Sequence, residues 1–140
     1  MRIVVAVDGS PVSARAARHV TKLAAQLQEP PSVILLTVDA PLLRRVAIEL
    51  GPEAVAKYHA DNARFATRTA RTVLHRAGIV FEERALIGDP APAIVKFCNK
   101  IKCDLLVMGS HGRNAVKSLF LGSVAIKVLS GSDVPVLVIR

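Results

Sequence analysis

The feature that most constrains this chain is a regular exchange between two kinds of apolar pattern. Five short runs of β-branched and aliphatic residues are separated by stretches whose apolar residues recur at helical spacing. Residues 3–7 form the first run, which ends at Asp8-Gly9-Ser10-Pro11, a turn whose proline suits the first turn of a helix. Over residues 12–27, Val12, Ala16, Val20, Leu23, Ala24 and Leu27 share one helical face, with Arg15, Arg18 and Lys22 opposite. Pro30-Pro31 stops that helix, and residues 32–38 read as a second buried strand. Residues 41–77 are mostly helical with a break at Gly51-Pro52, and Gly78 stands where a helix C-terminal glycine is expected. A third strand covers about residues 80–87, where Glu82, Glu83 and Arg84 interrupt the apolar pattern as they would near a sheet edge. Gly88-Asp89-Pro90 opens another helix, with Asp89 as its cap. Residues 104–108 and 134–139 read as the fourth and fifth strands, with a helix over about residues 123–129 between them.

Strict strand–helix alternation demands crossover connections, and right-handed crossovers build a parallel sheet covered on both faces. The composition agrees: apolar residues make up 51% of the chain while aromatics are only 4%, as in strands buried on both sides. At 140 residues the chain fits one α/β domain, residues 1–140. Cys98 and Cys103 form no CxxC pair and have no His/Cys cluster around them, so both read as small apolar packing residues. No stretch approaches the roughly 18 apolar residues that cross a membrane. The apolar run at the start is too short for a signal peptide. A soluble protein in a reducing cytoplasm, without membrane contact, is the expectation. The net charge of +8 comes from Lys and Arg spread along the chain with almost no aromatics beside them to stack on bases. That argues against specific nucleic-acid binding, while the charge still favours a phosphate-bearing ligand.

In a parallel sheet of this kind, ligands lie beyond the carboxyl ends of the strands where strand order reverses. The unusual residues of the chain fall at those ends, at Asp8-Gly9-Ser10 and at Gly109-Ser110-His111-Gly112. Residues 108–123 read MGSHGRNAVKSLFLGS. Glycines let a backbone turn sharply and let an anion approach, and successive exposed N–H groups make an anion-binding nest. Gly122-Ser123 opens the last helix, whose free N–H groups and dipole favour phosphate. Two donor sets flanking one pocket suit a polyphosphate better than a lone carboxylate. There is no GxxxxGK[ST] loop, and no GxGxxG follows the first strand. The same glycines would serve equally as turn formers and a helix cap, and spacing alone does not separate the two readings.

The pattern Gly109-x2-Gly112-x9-Gly122-Ser123 resembles the ATP-binding signature of the universal stress proteins. So do VVAVDGS at the start, LLTVDAP after the second strand, IGDPAPAIVKFC ahead of the third crossover helix and VPVLVIR at the end. The resemblance runs through the whole chain in order. It implies a Rossmann-like three-layer sandwich with a five-stranded parallel sheet in the order 3-2-1-4-5, and ATP with Mg²⁺ across its middle. Asp8 would bind the ribose hydroxyls or neighbouring polar atoms, unless it serves only to hold the turn or cap the first helix. Backbone groups of Ala6 and Val38 would flank adenine, with Val7 and Met108 in the same binding set. Gly109, His111, Gly112, Gly122 and Ser123 would surround the triphosphate, Val124 would lend an N–H, and Arg113 would stand within reach of phosphate. A homodimer through antiparallel pairing of the last strand, Val134 to Ile139, is also implied.

Ala125 departs from the pattern, standing where some ATP-binding members carry a hydroxyl, so one phosphate hydrogen bond is expected to be missing. Arg64, Arg68, Arg71 and His75 follow helical spacing and read as a solvated face. No constellation of base and charge stabiliser declares efficient phosphoryl chemistry, and no catalytic or protein-only metal site is assigned. The expected function is therefore an ATP-dependent stress-response regulator. A slow ATPase and a nucleotide-independent interaction module are the alternatives. Gly122→Val is expected to block the phosphate path and leave the fold intact.

Overall fold

The computed structural model describes residues 1–112 and 121–140. Its elements run β1 (Arg2–Ala6), α1 (Pro11–Ala24), β2 (Ser32–Asp39), α2 (Arg44–Leu50) and α3 (Pro52–Arg76). They continue with β3 (Phe81–Ile87), α4 (Pro90–Ile101), β4 (Leu105–Gly109), α5 (Ser123–Gly131) and β5 (Val136–Ile139). The strands form one parallel sheet in the order β3-β2-β1-β4-β5, so strand order reverses between β1 and β4, as expected.

The period of two along each strand divides the core into two layers. Ile3, Val5 and Val7 join Val33, Leu35 and Val107 beneath α1 and α3, where Ala16, Ala17, Val20, Ala70 and Leu74 cover them. Val4, Ala6, Ile34, Leu36, Leu106 and Met108 face the other way, against Ala91, Ile94 and Cys98 of α4 and Ala125 and Val128 of α5. Small alanines on the helices let the backbones come close to a sheet of larger branched side chains. Each fully buried Val or Leu contributes roughly 1.5–3 kcal/mol. Among the described residues, no helix is long and apolar enough to cross a membrane.

Several boundaries differ from the sequence reading. α1 begins at Pro11 and ends at Ala24, short of Leu27, because Gln26 and Leu27 bond back three residues to Leu23 and Ala24 and tighten the last turn. Ser10, not Asp8, occupies the N-cap of α1: its side chain accepts from Ser13 N–H at 3.1 Å. Asp89 sits at the N-cap position of α4 but makes no side-chain capping bond. β5 starts at Val136 rather than 134, since Pro135 has no N–H and joins the sheet only through its carbonyl, which accepts from Leu106. Val80 stays outside β3 and is 88% exposed.

Gly51 (φ 79°) separates α2 from α3 as the sequence implied, and Gly78 (φ 69°) follows the end of α3. The arginine series on α3 is largely spoken for. Arg71 makes a two-pronged pair with Glu83 of β3, 2.7 Å on each arm, Arg64 pairs with Asp61, and Arg68 lies over the Phe65 ring. Cys98 and Cys103 are buried in the turn that ends α4, where Lys102 takes a left-handed φ of 49° and Cys103 N–H bonds to Cys98 O at 3.3 Å. Burial pushes both thiols above the ordinary cysteine range, as suits packing residues.

Candidate functional site

The sequence Asp8-Gly9-Ser10-Pro11 folds into a turn held almost wholly by its own side chains. Asp8 Oδ1 accepts Ser10 N–H at 2.9 Å, Ser10 Oγ caps α1, and Ser13 Oγ returns a bond to Ser10 O at 2.9 Å. Ser10 and Ser13 are buried, so this bonding satisfies groups that water does not reach. Gly9 has φ 83°, and a Cβ there would meet Phe65 Cε1 of α3 at 3.0 Å. α3 thus abuts the turn directly, and the position demands glycine on both conformational and steric grounds.

The second loop leaves β4 at Gly109. A Cβ on Gly109 would sit 3.0 Å from Val12 Cγ1 and 3.1 Å from Ser13 N, so glycine lets this loop pass against the first turn of α1. Ser110 is buried; its N–H bonds to Ile139 O at 2.7 Å and its Oγ shares a 2.9 Å hydrogen bond with His111 Nδ1. A Cβ on Gly112 would lie 3.0 Å from Asp8 Oδ2. The turn after β1 and the loop after β4 therefore meet at Asp8 and Gly112, on opposite sides of the point where strand order reverses.

The third component is the start of α5. Gly122 N–H bonds to Ser110 O at 2.7 Å, which docks the head of α5 onto the loop after β4. Gly122 is the N-cap residue of α5 and carries no side-chain cap. The side chain missing at Gly122 would point at His111 Cα and Ser110 O, both 3.3 Å away. That direction corrects the expectation for Gly122→Val: an added side chain presses first on the loop backbone, so the fold is not left untouched.

The fourth component is the end of β2. β1 ends at Ala6, paired with Leu36, whereas β2 runs on to Asp39. The last bond between the two strands is Val7 N–H to Leu36 O at 2.9 Å. By strand alternation, Val38 turns its N–H and C=O to the same side as Leu36, past the end of β1. Asp39 turns the other way, and its carbonyl accepts Gly88 N–H beside β3 at 2.9 Å.

The structure thus brings Asp8, Gly109, His111, Gly112 and Gly122 to one rim of the sheet, with Ser123 and Val124 opening α5 beside them. Ala6 and Met108 are register partners at the ends of β1 and β4, Val7 follows Ala6, and Val38 overhangs on β2. Arg113 lies outside the described residues. Sequence reasoning named Ser10 and Ser110 within the two strand-end clusters but assigned them no role, and it missed Ser13; these buried serines hold both loops in shape. Only Ser10 had a readable signal, as a serine placed directly before a proline at helix position N1. Among the described residues, no group of three or more His, Cys, Asp and Glu could hold a metal ion by itself.

A model of the universal stress protein family matches residues 1–140. Universal stress protein MJ0531 of Methanocaldococcus jannaschii is 31% identical over 99% of this chain and 81% of its own length. The solved structure of MJ0577 from the same organism superimposes with a TM-score of 0.82 at 28% identity, covering 99% of this chain and 94% of that one. A universal stress protein solved in complex with cAMP matches with a TM-score of 0.70 at 28% identity, over 100% of this chain and 97% of the other. The strand order, the two meeting loops and these likenesses agree, and the chain belongs to the universal stress protein family.

Proposed function

We propose that this protein binds ATP and acts in the cytoplasm as a nucleotide-dependent regulator of the stress response, without efficient catalysis. The observation that carries the reading is the meeting of Asp8 and Gly112, so close that a Cβ on Gly112 would sit 3.0 Å from Asp8 Oδ2. A carboxylate from one loop faces the bare backbone of another where a parallel sheet changes direction, which is where such folds take their ligands. Asp8 keeps Oδ2 on the glycine side while Oδ1 holds Ser10, so one side chain shapes the turn and receives a ribose hydroxyl.

The remaining contacts follow from the same rim. Val38 offers a backbone donor and acceptor to adenine, with Ala6, Val7 and Met108 lining the approach. Gly109, His111 and Gly112 form one side of the phosphate cradle. Gly122, Ser123 and Val124 form the other, at a helix start whose N-cap glycine has no side chain to cap it. The cAMP complex of a structural relative supports an adenine nucleotide as the ligand class. Mg²⁺ fits a triphosphate held on this rim, because it keeps several waters and binds mainly through phosphates. When bound it would neutralise phosphate charge.

The reading without efficient catalysis rests on the sequence, in which no constellation of base and charge stabiliser declares itself. Asp8 Oδ1 accepts Ser10 N–H and His111 Nδ1 bonds to Ser110 Oγ, so one atom of each group serves the loops themselves. Occupancy then acts by changing what a dimer presents. That dimer would form through the outer edge of β5. Titration calorimetry of nucleotide-stripped protein with Mg-ATP, beside AMP and GTP, tests the reading. Micromolar or tighter binding that prefers ATP is expected; no binding by folded protein would sink it.

A further inference from the structure

The overhanging end of β2 has a ladder on one side only. Beyond Leu36 it pairs with β3 through Asp39 and Gly88, while its other flank faces the end of β1. A strand end with one neighbour frays unless something else holds it. α3 supplies that hold. His59 Nδ1 lies 2.6 Å from Asp39 Oδ2, and Asn62 Nδ2 donates to the same oxygen at 2.9 Å. A carboxylate oxygen only accepts, so His59 carries its proton on Nδ1. His59 and Asn62 stand three residues apart on one face of α3, which is why both reach one oxygen. The His59 side chain is 9% exposed and that of Asp39 is 20% exposed, so water competes weakly for these bonds.

The period of two explains the construction. Asp39 shares the face of Val33, Leu35 and Thr37 that packs beneath α3, while the neighbouring Val38 turns its backbone to the rim. Holding the side chain of Asp39 therefore holds the Val38–Asp39 peptide, which carries the Val38 carbonyl, without occupying the rim itself. The same helix meets the turn after β1 three to four residues beyond Asn62, where Phe65 and Ala66 back Gly9. One rigid element thus sets the positions of two rim segments.

We infer that His59 and Asn62 are positioning residues, which clamp Asp39 and so hold the backbone of Val38 in the geometry that reads adenine. The inference rests on the nucleotide reading above for its ligand, but the clamp has a ligand-free readout. Amide hydrogen exchange is measured on nucleotide-free protein for Asp39 and Gly88, which join the ladder between β2 and β3. Calorimetry with Mg-ATP and with magnesium tripolyphosphate, which has no base, follows on the same samples. In His59→Leu, exchange at these amides rises about tenfold while Ala6 and Leu35 stay protected, and Mg-ATP affinity falls about tenfold. Tripolyphosphate affinity stays as in wild type. His59→Asn restores both values, because its Nδ2 takes the place of Nδ1, and Asn62→Ala shows the same pattern as His59→Leu in weaker form.

Unchanged exchange in His59→Leu overturns the clamp, whatever the binding result. Faster exchange with unchanged ATP affinity, or equal losses for ATP and tripolyphosphate, overturns its role in reading adenine. Wild-type protein that binds neither ligand overturns the nucleotide reading and the adenine role together, and the exchange result still decides whether the clamp exists.

Discussion

A methyl group on Gly109 would press on Val12 Cγ1 at 3.0 Å and on the backbone nitrogen of Ser13 at 3.1 Å. The valine can give a little; a helix backbone cannot. Gly109→Ala is expected to lower unfolding free energy by about 1–3 kcal/mol in denaturant titrations, with nucleotide affinity falling further as the loop moves. Gly122→Val is a different case. Its backbone angle of −76° accepts any residue, so the damage is steric and falls on Ser110 and His111. Expected together are a stability loss of about 1 kcal/mol and a large drop in ATP affinity, seen by thermal melting and calorimetry on one sample. These glycines were legible in the sequence by type and spacing. The direction in which each lacks a side chain was not, because that depends on which distant segment packs there. The same holds for Asp8, where the sequence left a turn role and a ligand role open; Oδ1 holds the turn and Oδ2 lies toward Gly112, so the turn role is seen directly and the ligand role is the one proposed above.

Elements were more legible than their ends. β-branched runs and helical faces set the five strands and the helices between them, since both patterns are local. Their limits were decided by particular bonds: the tightened end of α1, the missing N–H of Pro135 and the unused cap at Asp89. The bonds from His59 and Asn62 to Asp39 span 20 and 23 residues, so no local pattern announced them. Arg71 and Glu83 likewise tie α3 to β3 across 12 residues. The Arg71 guanidinium holds the Glu83 carboxyl below the ordinary 4.5 of a glutamate. A depressed carboxylate contributes stability above its unfolded value and loses it as pH falls through the folded one. Both side chains are more than a third exposed, so the contribution is below about 1 kcal/mol. Arg71→Met is expected to lower the melting temperature slightly near neutral pH. The gap from wild type should narrow as pH falls below the ordinary 4.5 and close once pH is below the depressed folded value, where Glu83 is protonated in both states; a gap that persists there would locate the effect in packing.

At the scale of the whole molecule, the two edges of the sheet are treated differently. β3 carries Glu82, Glu83 and Arg84 across its middle, and charged residues blunt an edge. β5 is Val-Leu-Val-Ile with every residue partly exposed, and Ile126 and Leu129 of the neighbouring α5 are 50% and 43% exposed. An apolar edge this bare invites pairing with a second copy. The carbonyls of Pro135 and Ile139 point inward, accepting from Leu106 and Ser110, so by alternation Val136 and Val138 present their N–H and C=O groups outward. Val138→Pro therefore removes an outward donor and spares the ladder with β4, since proline is tolerated at an edge where its nitrogen faces away from the sheet. Wild-type protein is expected to run at twice the 14.9 kDa mass of the chain in size-exclusion chromatography with light scattering, and Val138→Pro at the chain mass with its circular dichroism unchanged. A variant that stays dimeric would move the contact away from β5. The exposed Leu43, Ile48 and Leu50 around α2 would then be the next surface to alter, because they are the other concentration of apolar side chains that the described fold leaves uncovered.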